Sequence, residues 1–104
     1  MVYKIVWSQP ALEDLRDITN YIRRDNPDAA RRFGLRLIAK AESLATFPER
    51  GRMIRKFWDP QIREVILGPY RIAYRVRPDT LVVEVARIWH GARSEEGFEV
   101  GNFE

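Results

Sequence analysis

Cysteine is absent from the 104-residue chain, and His90 is its only histidine. Without cysteine there is no disulfide framework and no cysteine-ligated metal, and a reducing compartment is the natural setting. A lone histidine, with no tight acidic cluster outside the first predicted helix, predicts no metal site. The isolated glycines Gly51, Gly68 and Gly91 form no glycine-rich phosphate loop, so we expect no cofactor.

Long apolar runs are missing as well. No stretch approaches the roughly 20 apolar residues that a membrane-spanning helix needs. The first ten residues also lack the apolar core and cleavage site of a signal peptide. We therefore expect a cytoplasmic protein without a membrane partner. The length suits one domain, which we place at residues 1–93, followed by an acidic tail at residues 94–104.

Lysine is scarce among the basic residues. Lys4, Lys40 and Lys56 are the only lysines among 18 basic residues, and all the others are arginine. The formal net charge is +3, but residues 93–104 hold one arginine against four glutamates, so residues 1–92 carry +6. Because guanidinium groups pair well with phosphates and carboxylates, this body favours an acidic partner, either nucleic acid or an acidic protein segment. The other interpretation is a surface that merely keeps the chain soluble.

The apolar pattern predicts the first half of the fold. Residues 2–7 alternate as a strand, and an amphipathic helix follows over residues 9–24, with Ser8 as its cap. The segment Asn26-Pro27 then starts a second helix that ends near Phe47. The short connection makes the two helices an antiparallel hairpin.

The second half of the chain is predicted to be a meander. Residues 52–60 are irregular, basic and aromatic. Three antiparallel strands follow, over residues 61–67, 70–77 and 81–89, separated by turns. A helix hairpin that covers one face of a four-stranded sheet gives a two-layer α+β domain.

The strand at residues 70–77 alternates cleanly. Tyr70, Ile72, Tyr74 and Val76 point one way, and Arg71, Arg75 and Arg77 point the other. If the apolar row meets the helices, the arginines form a basic platform for phosphates on the open face, which Arg63 and Arg87 join in a suitable register. Alternatively, these arginines simply solvate the outside of a one-faced sheet.

The three tryptophans have different expected roles. Trp7 and Trp89 lie in predicted strands and are expected in the core. Trp58 lies in the basic loop beside Arg55 and Lys56, where it is either a partner anchor or packed over the sheet edge.

Five segments of the chain match a family pattern in both order and spacing. They are ALEDL at residues 11–15, LATFPERG at 44–51, RE at 63–64, GPYRIAYR at 68–75 and RIWHGAR at 87–93. Together they resemble the ParE branch of the ParE/RelE toxin superfamily over nearly all of residues 3–93. The resemblance implies the α+β fold above and the toxin component of a type II toxin–antitoxin system, a class associated with plasmid stabilisation.

The resemblance also carries two target classes. ParE-like members are associated with inhibition of DNA gyrase, and RelE-like members with ribosome-dependent cleavage of mRNA. Both branches share one fold, so the fold does not decide between them. We expect a gyrase inhibitor that is not an enzyme and that stabilises a gyrase–DNA intermediate. A further alternative is an inactive relative that retains only antitoxin binding.

The nuclease alternative is a ribosome-dependent endoribonuclease with Arg71, Arg75 and His90 as its catalytic residues. Cleavage through a 2′-hydroxyl needs a proton-transfer group and cations that stabilise the developing charge, which histidine and arginine can supply. His90 is alternatively a strand-end residue with a structural or partner-contact role. The lysine set of a RelE-type nuclease is not visible in this chain. Its nearest substitutes are Arg52, Arg55 and Lys56.

A further implication of the resemblance is a cognate antitoxin with a flexible acidic tail. An arginine-rich surface would steer such a tail and pair with it in a hetero-oligomer. If the apolar stripe of the helix hairpin extends past the sheet, it leaves a groove for an incoming helix or strand. The residues that we expect to contact a partner are Arg32, Arg36, Lys40, Arg52, Arg55, Lys56, Trp58, Arg71, Arg75 and Arg77.

Overall fold

The computed structural model describes residues 2–91, and the predicted acidic tail, residues 94–104, lies outside the described residues. The elements are β1 (Lys4–Trp7), α1 (Gln9–Arg23), α2 (Pro27–Glu42), a 3-10 turn (Ser43–Ala45), β2 (Arg52–Met53), β3 (Ile62–Leu67), β4 (Tyr70–Arg77) and β5 (Val82–His90). The predicted α+β class, with a strand, two helices and then antiparallel strands, is confirmed. None of the helices in residues 2–91 has the length and apolar character needed to cross a membrane.

Both helices begin at the predicted caps. The Ser8 hydroxyl oxygen accepts a hydrogen bond from the Ala11 amide at 3.1 Å, and the Asn26 side-chain oxygen accepts one from the Ala29 amide at 3.0 Å. Each contact satisfies an amide that the first helical turn leaves unpaired. The predicted end of α2 near Phe47 was too late, because the chain tightens into the 3-10 turn after Glu42.

The sheet has five strands in the order β1-β5-β4-β3-β2, with β1 parallel to β5 and the other pairs antiparallel. The prediction of four strands was wrong by one short edge strand. Residues 52 and 53 pair with Glu64 and Arg63 of β3, so the segment predicted to be irregular begins as a strand. A strand of two residues is too short to show an alternating pattern. It is defined by its pairing with β3.

The helices cover one face of the sheet, as predicted. The apolar row of β4 faces them: Ile72, Tyr74 and Val76 belong to the same buried cluster as Leu37 of α2 and Ile18 of α1. Trp7 packs against this cluster.

The opposite face of the sheet is not open, contrary to prediction. Ile54 in the loop after β2 is 1% exposed and packs with Ile62, Ala73, Ala86 and Trp89 in a second, smaller core. Phe57 packs against this cluster from the same loop. The loop therefore covers part of the face that the β4 arginines share, because its own apolar side chains need burial.

Tyr74 fastens the turn before β2 to the core. Its side chain is fully buried, and its hydroxyl donates to the Pro48 carbonyl at 2.7 Å and accepts from the Gly51 amide at 2.9 Å. A β-carbon on Gly51 would lie 2.5 Å from this hydroxyl and 2.5 Å from the Glu64 carbonyl oxygen. Glycine is therefore the residue that this close approach accepts.

We expect Tyr74→Phe to lower the free energy of unfolding by about 1–2 kcal/mol, because it leaves two polar backbone groups without their partner. Burial raises the pKa of Tyr74 above its ordinary value. The unfolded chain then loses the phenol proton first, so the stability that Tyr74 supplies should fall as the pH rises above about 10. Urea unfolding at neutral and alkaline pH measures both effects. A Phe variant as stable as the wild type would contradict this role.

Candidate functional site

A small cavity lies at the β3–β4 turn, next to the end of β5. Its volume is about 330 Å³, and its lining residues are Arg52, Ile66, Gly68, Pro69, Tyr70, Arg71, His90 and Gly91. Gly68 adopts a left-handed backbone with φ of 55°, which the turn requires and glycine accepts without strain. The Gly91 amide donates to the Pro69 carbonyl and ties the end of β5 to this turn.

Glu64 forms ion pairs with the two arginines that line this cavity. Its side chain is 1% exposed, and each of its two carboxylate oxygens accepts a hydrogen bond from the Nε group of one arginine. Arg71 Nε lies 2.6 Å from Oε1, and Arg52 Nε lies 2.8 Å from Oε2. The side chain of Arg71 is 7% exposed and that of Arg52 is 68% exposed. Both guanidinium groups that line the cavity are thus paired with one buried carboxylate.

His90 and Tyr70 form the other side of the cavity. They are partners across β4 and β5, and their rings meet edge to face with centroids 5.4 Å apart. Burial, and secondarily the nearby Tyr21 phenol, raises the pKa of Tyr70 above its ordinary value. This phenol is therefore poorly suited to act as a base at neutral pH.

The structure brings together only part of the predicted catalytic set. Arg71 and His90 line the same cavity. Arg75 lies four residues farther along β4, roughly 13 Å away at strand spacing, opposite Ile62 and with its Nη2 atom 3.9 Å from the Asp59 carboxylate. The alternation of β4 gives these arginines one face, but the extended backbone separates them.

A continuous basic platform, one of the two interpretations of these arginines, does not form on that face. Arg71 is buried against Glu64, and Arg77 lies 3.3 Å from Glu84. Arg63 is opposite Tyr74 in the register and so belongs to the other face of the sheet, where it donates to the carbonyls of Pro60 and Gly51 at 2.7 and 2.8 Å. The strand register and the covering loop place carboxylates among the arginines of this face, which lowers its net positive charge.

Arg87 has a partner that the sequence did not reveal. Its Nε atom lies 2.7 Å from the Asp14 carboxylate in α1, and this hydrogen bond raises the pKa of Arg87. The same carboxylate accepts the Ile88 amide at 2.9 Å. β1 pairs only with residues 82–85 of β5, so Asp14 satisfies the β5 edge beyond the end of β1.

A groove runs along the outer side of the helix hairpin. Its volume is about 550 Å³, and three large apolar side chains are exposed in it: Leu12 at 43%, Leu35 at 55% and Ile38 at 38%. The arginines that line it are Arg16, Arg23 and Arg31. The two helices thus carry a second, exposed apolar stripe beside the buried one. The sequence predicts such an exposed stripe only as an extension of the buried one past the sheet.

The predicted partner residues are spread over several surfaces. Arg32 and Arg36 are exposed on α2, and Lys40 is half-buried there, but none of them lines the groove. Arg55 and Lys56 are exposed in the loop that covers the sheet. Trp58 in the same loop is 74% exposed, which contradicts packing over the sheet edge, one of its two predicted roles. Trp89 is 8% exposed, as expected of a core residue.

The arrangement of strands and helices is that of solved ParE and RelE toxins. A structure of the chromosomal ParDE toxin–antitoxin system from P. aeruginosa superposes with a TM-score of 0.69 at 21% identity, covering 86% of this chain and 96% of that one. The RelBE2 toxin–antitoxin complex from Mycobacterium tuberculosis gives 0.66 at 22% identity, covering 89% and 95%. These likenesses establish the fold class.

Sequence comparison identifies the family. Residues 5–95 match the ParE toxin of type II toxin–antitoxin systems, so the chain belongs to this family within the ParE/RelE superfamily. It is 43% identical over 91 residues to toxin RelE2 of Caulobacter vibrioides, covering 86% of this chain and 97% of the relative. It is 37% identical over 89 residues to putative toxin Y4kP of Sinorhizobium fredii, covering 84% and 86%. The protein is a toxin of a type II toxin–antitoxin system, and its relatives carry names from both branches.

Proposed function

We propose that this toxin arrests growth by binding DNA gyrase and stabilising a gyrase–DNA intermediate, without cleaving a substrate itself. The observation that carries this choice is that both arginines lining the cavity are paired with the buried carboxylate of Glu64. A phosphodiester entering the cavity would meet guanidinium groups whose positive charge this carboxylate already offsets. A site that stabilises phosphorane-like charge needs cations aimed at the substrate instead.

The proton-transfer chemistry of the cavity points the same way. Nuclease action needs a base and an acid on opposite sides of the scissile bond. Of the predicted set only His90 is such a group, because arginine stays protonated, and Arg75 is at the far end of β4. The cavity therefore supports binding better than general acid–base catalysis.

The antitoxin binds, in this proposal, along the groove of the helix hairpin. Exposed Leu12, Leu35 and Ile38 offer an apolar floor, and the three arginines of the groove suit an acidic amphipathic segment. The solved relatives named above are toxin–antitoxin complexes or systems, which supports a cognate antitoxin as the partner of this chain.

The experiment that tests gyrase as the target measures plasmid supercoiling by purified gyrase with increasing amounts of the toxin, scoring cleaved DNA after denaturation. We expect dose-dependent inhibition or trapped breaks. His90→Ala should inhibit within about twofold of the wild type, because the histidine is a bystander in this mechanism. Gyrase that is unaffected by a toxin that still arrests growth would refute the proposal.

The second candidate function is ribosome-dependent mRNA cleavage, which the convergence of Arg52, Arg71 and His90 on one cavity favours. It predicts mRNA cleavage in a translating extract and a loss of roughly 100-fold or more in His90→Ala, the usual contribution of a proton-transfer residue. The same variant thus separates the two functions.

A further inference from the structure

Trp58 is the most exposed of the large apolar side chains in residues 2–91, at 74%. Its backbone is left-handed, with φ of 49°, a conformation that is strained for any residue with a β-carbon. Leu81 shares a positive φ but is half-buried. Strained residues cluster at contact and functional sites. Here the strained residue carries an indole that is exposed to solvent.

The loop that carries Trp58 is firmly built. The Phe57 amide donates to the Ile54 carbonyl at 3.1 Å, and the Ile62 amide donates to the Asp59 carbonyl at 3.0 Å. The Asp59 side chain also accepts the Gln61 amide at 2.9 Å. Ile54, at 1% exposed, and Phe57 anchor the loop to the second core. The loop backbone that carries Trp58 is therefore held in advance, which lowers the entropic cost of binding.

We propose that Trp58 is the anchor by which this toxin binds its protein target, inserting into an apolar pocket on a folded partner. An indole buries roughly 150–250 Å² when it is enclosed, and buried tryptophans are frequent hot spots of interfaces. A flexible antitoxin tail offers no pocket of that kind, and the groove that suits such a tail lies on the helices instead.

The charges around Trp58 favour a protein over a nucleic acid. Arg55 and Lys56 are exposed beside it, but the Asp59 carboxylate follows directly and lies 3.9 Å from Arg75. Farther along this face Arg77 pairs with Glu84 at 3.3 Å. This polar surround of an apolar centre is typical of the rim of a protein interface, and the two ion pairs leave fewer cations for phosphates.

That the target is gyrase rests on the proposed function. The primary measurement is therefore growth arrest, which tests Trp58 whether or not gyrase is the target. Growth arrest is measured after induced expression without antitoxin, for the wild type, Trp58→Gly, Trp58→Phe and Tyr21→Ala. Tyr21 is the matched control, an exposed aromatic at 68% on α1. Inhibition of purified gyrase by the same four proteins is the second readout.

Trp58→Gly should abolish growth arrest and raise the concentration for half-inhibition of gyrase about 30-fold. It should also melt at or above the wild-type temperature, because glycine relieves the positive φ. Loss of activity with unchanged or higher stability cannot arise from misfolding. Trp58→Phe should retain part of the activity, and Tyr21→Ala should retain all of it.

Growth arrest by Trp58→Gly equal to the wild type would overturn the anchor, whatever the result with gyrase. Loss of arrest in this variant, with gyrase untouched even by the wild type, would refute gyrase and keep the anchor. Micromolar binding of a single-stranded oligonucleotide by the wild type that Trp58→Gly loses would overturn a protein occupant. A wild type that neither arrests growth nor inhibits gyrase would overturn both proposals.

Discussion

Replacing Glu64 by alanine should lower the free energy of unfolding by roughly 3 kcal/mol, within the range for breaking a buried ion pair. The change removes the carboxylate that holds the buried Arg71 guanidinium, and it opens a gap under the β2 edge. Arg52 can turn toward water, because its side chain is 68% exposed, but Arg71 cannot. Urea unfolding of the purified variant measures the loss.

Two further variants isolate the cause of that loss. Arg52→Ala should cost less than about 1 kcal/mol, because it removes the solvent-exposed member of the cluster. The double variant Glu64→Leu with Arg71→Met should recover most of the stability, since well-packed apolar residues often replace a buried pair without penalty. If the double variant is as unstable as Glu64→Ala, lost packing rather than an uncompensated charge is the explanation.

Glu64 also shows where reasoning from the sequence stops. The alternation of β3 places Glu64 on the face of Ile62 and Ile66, and that of β4 places Arg71 opposite the apolar row. Their contact depends on the register, which sets Glu64 against Ala73 and Arg71 against Ile66 and so makes the two charges diagonal neighbours. A local pattern carries no register, so the sequence alone placed Arg71 on a solvent-facing side, either as a phosphate ligand or as a solvating residue.

The features that were predicted correctly depend on neighbours in the chain. Ser8 and Asn26 cap helices within three residues of themselves, and the inward row of β4 follows from strict alternation. The features that were missed depend on distant segments. Asp14 contacts Arg87, which is 73 positions away in the sequence. The loop at residues 54–61 covers a face of the sheet, and no local stretch of sequence indicates that this face is covered.

Replacing Leu35 by aspartate should weaken binding of the cognate antitoxin by about 100-fold or more, an effect of hot-spot size. Leu35 is 55% exposed at the floor of the groove, so the unfolding free energy should change by less than about 0.5 kcal/mol. The new carboxylate would be desolvated under an apolar segment and would repel an acidic one. Titration calorimetry with the purified antitoxin gives the affinity.

Ile66→Asp is the matched control, because Ile66 is 45% exposed but lines the cavity rather than the groove. It should leave antitoxin affinity within about twofold. The electrostatic part of the proposal has its own signature: wild-type affinity should fall as salt rises, since Arg16, Arg23 and Arg31 line the groove at exposed positions. If Ile66→Asp loses the antitoxin and Leu35→Asp keeps it, the antitoxin binds at the cavity end of the sheet, and neutralisation then acts on the surface around Arg52 and His90 rather than on the helices.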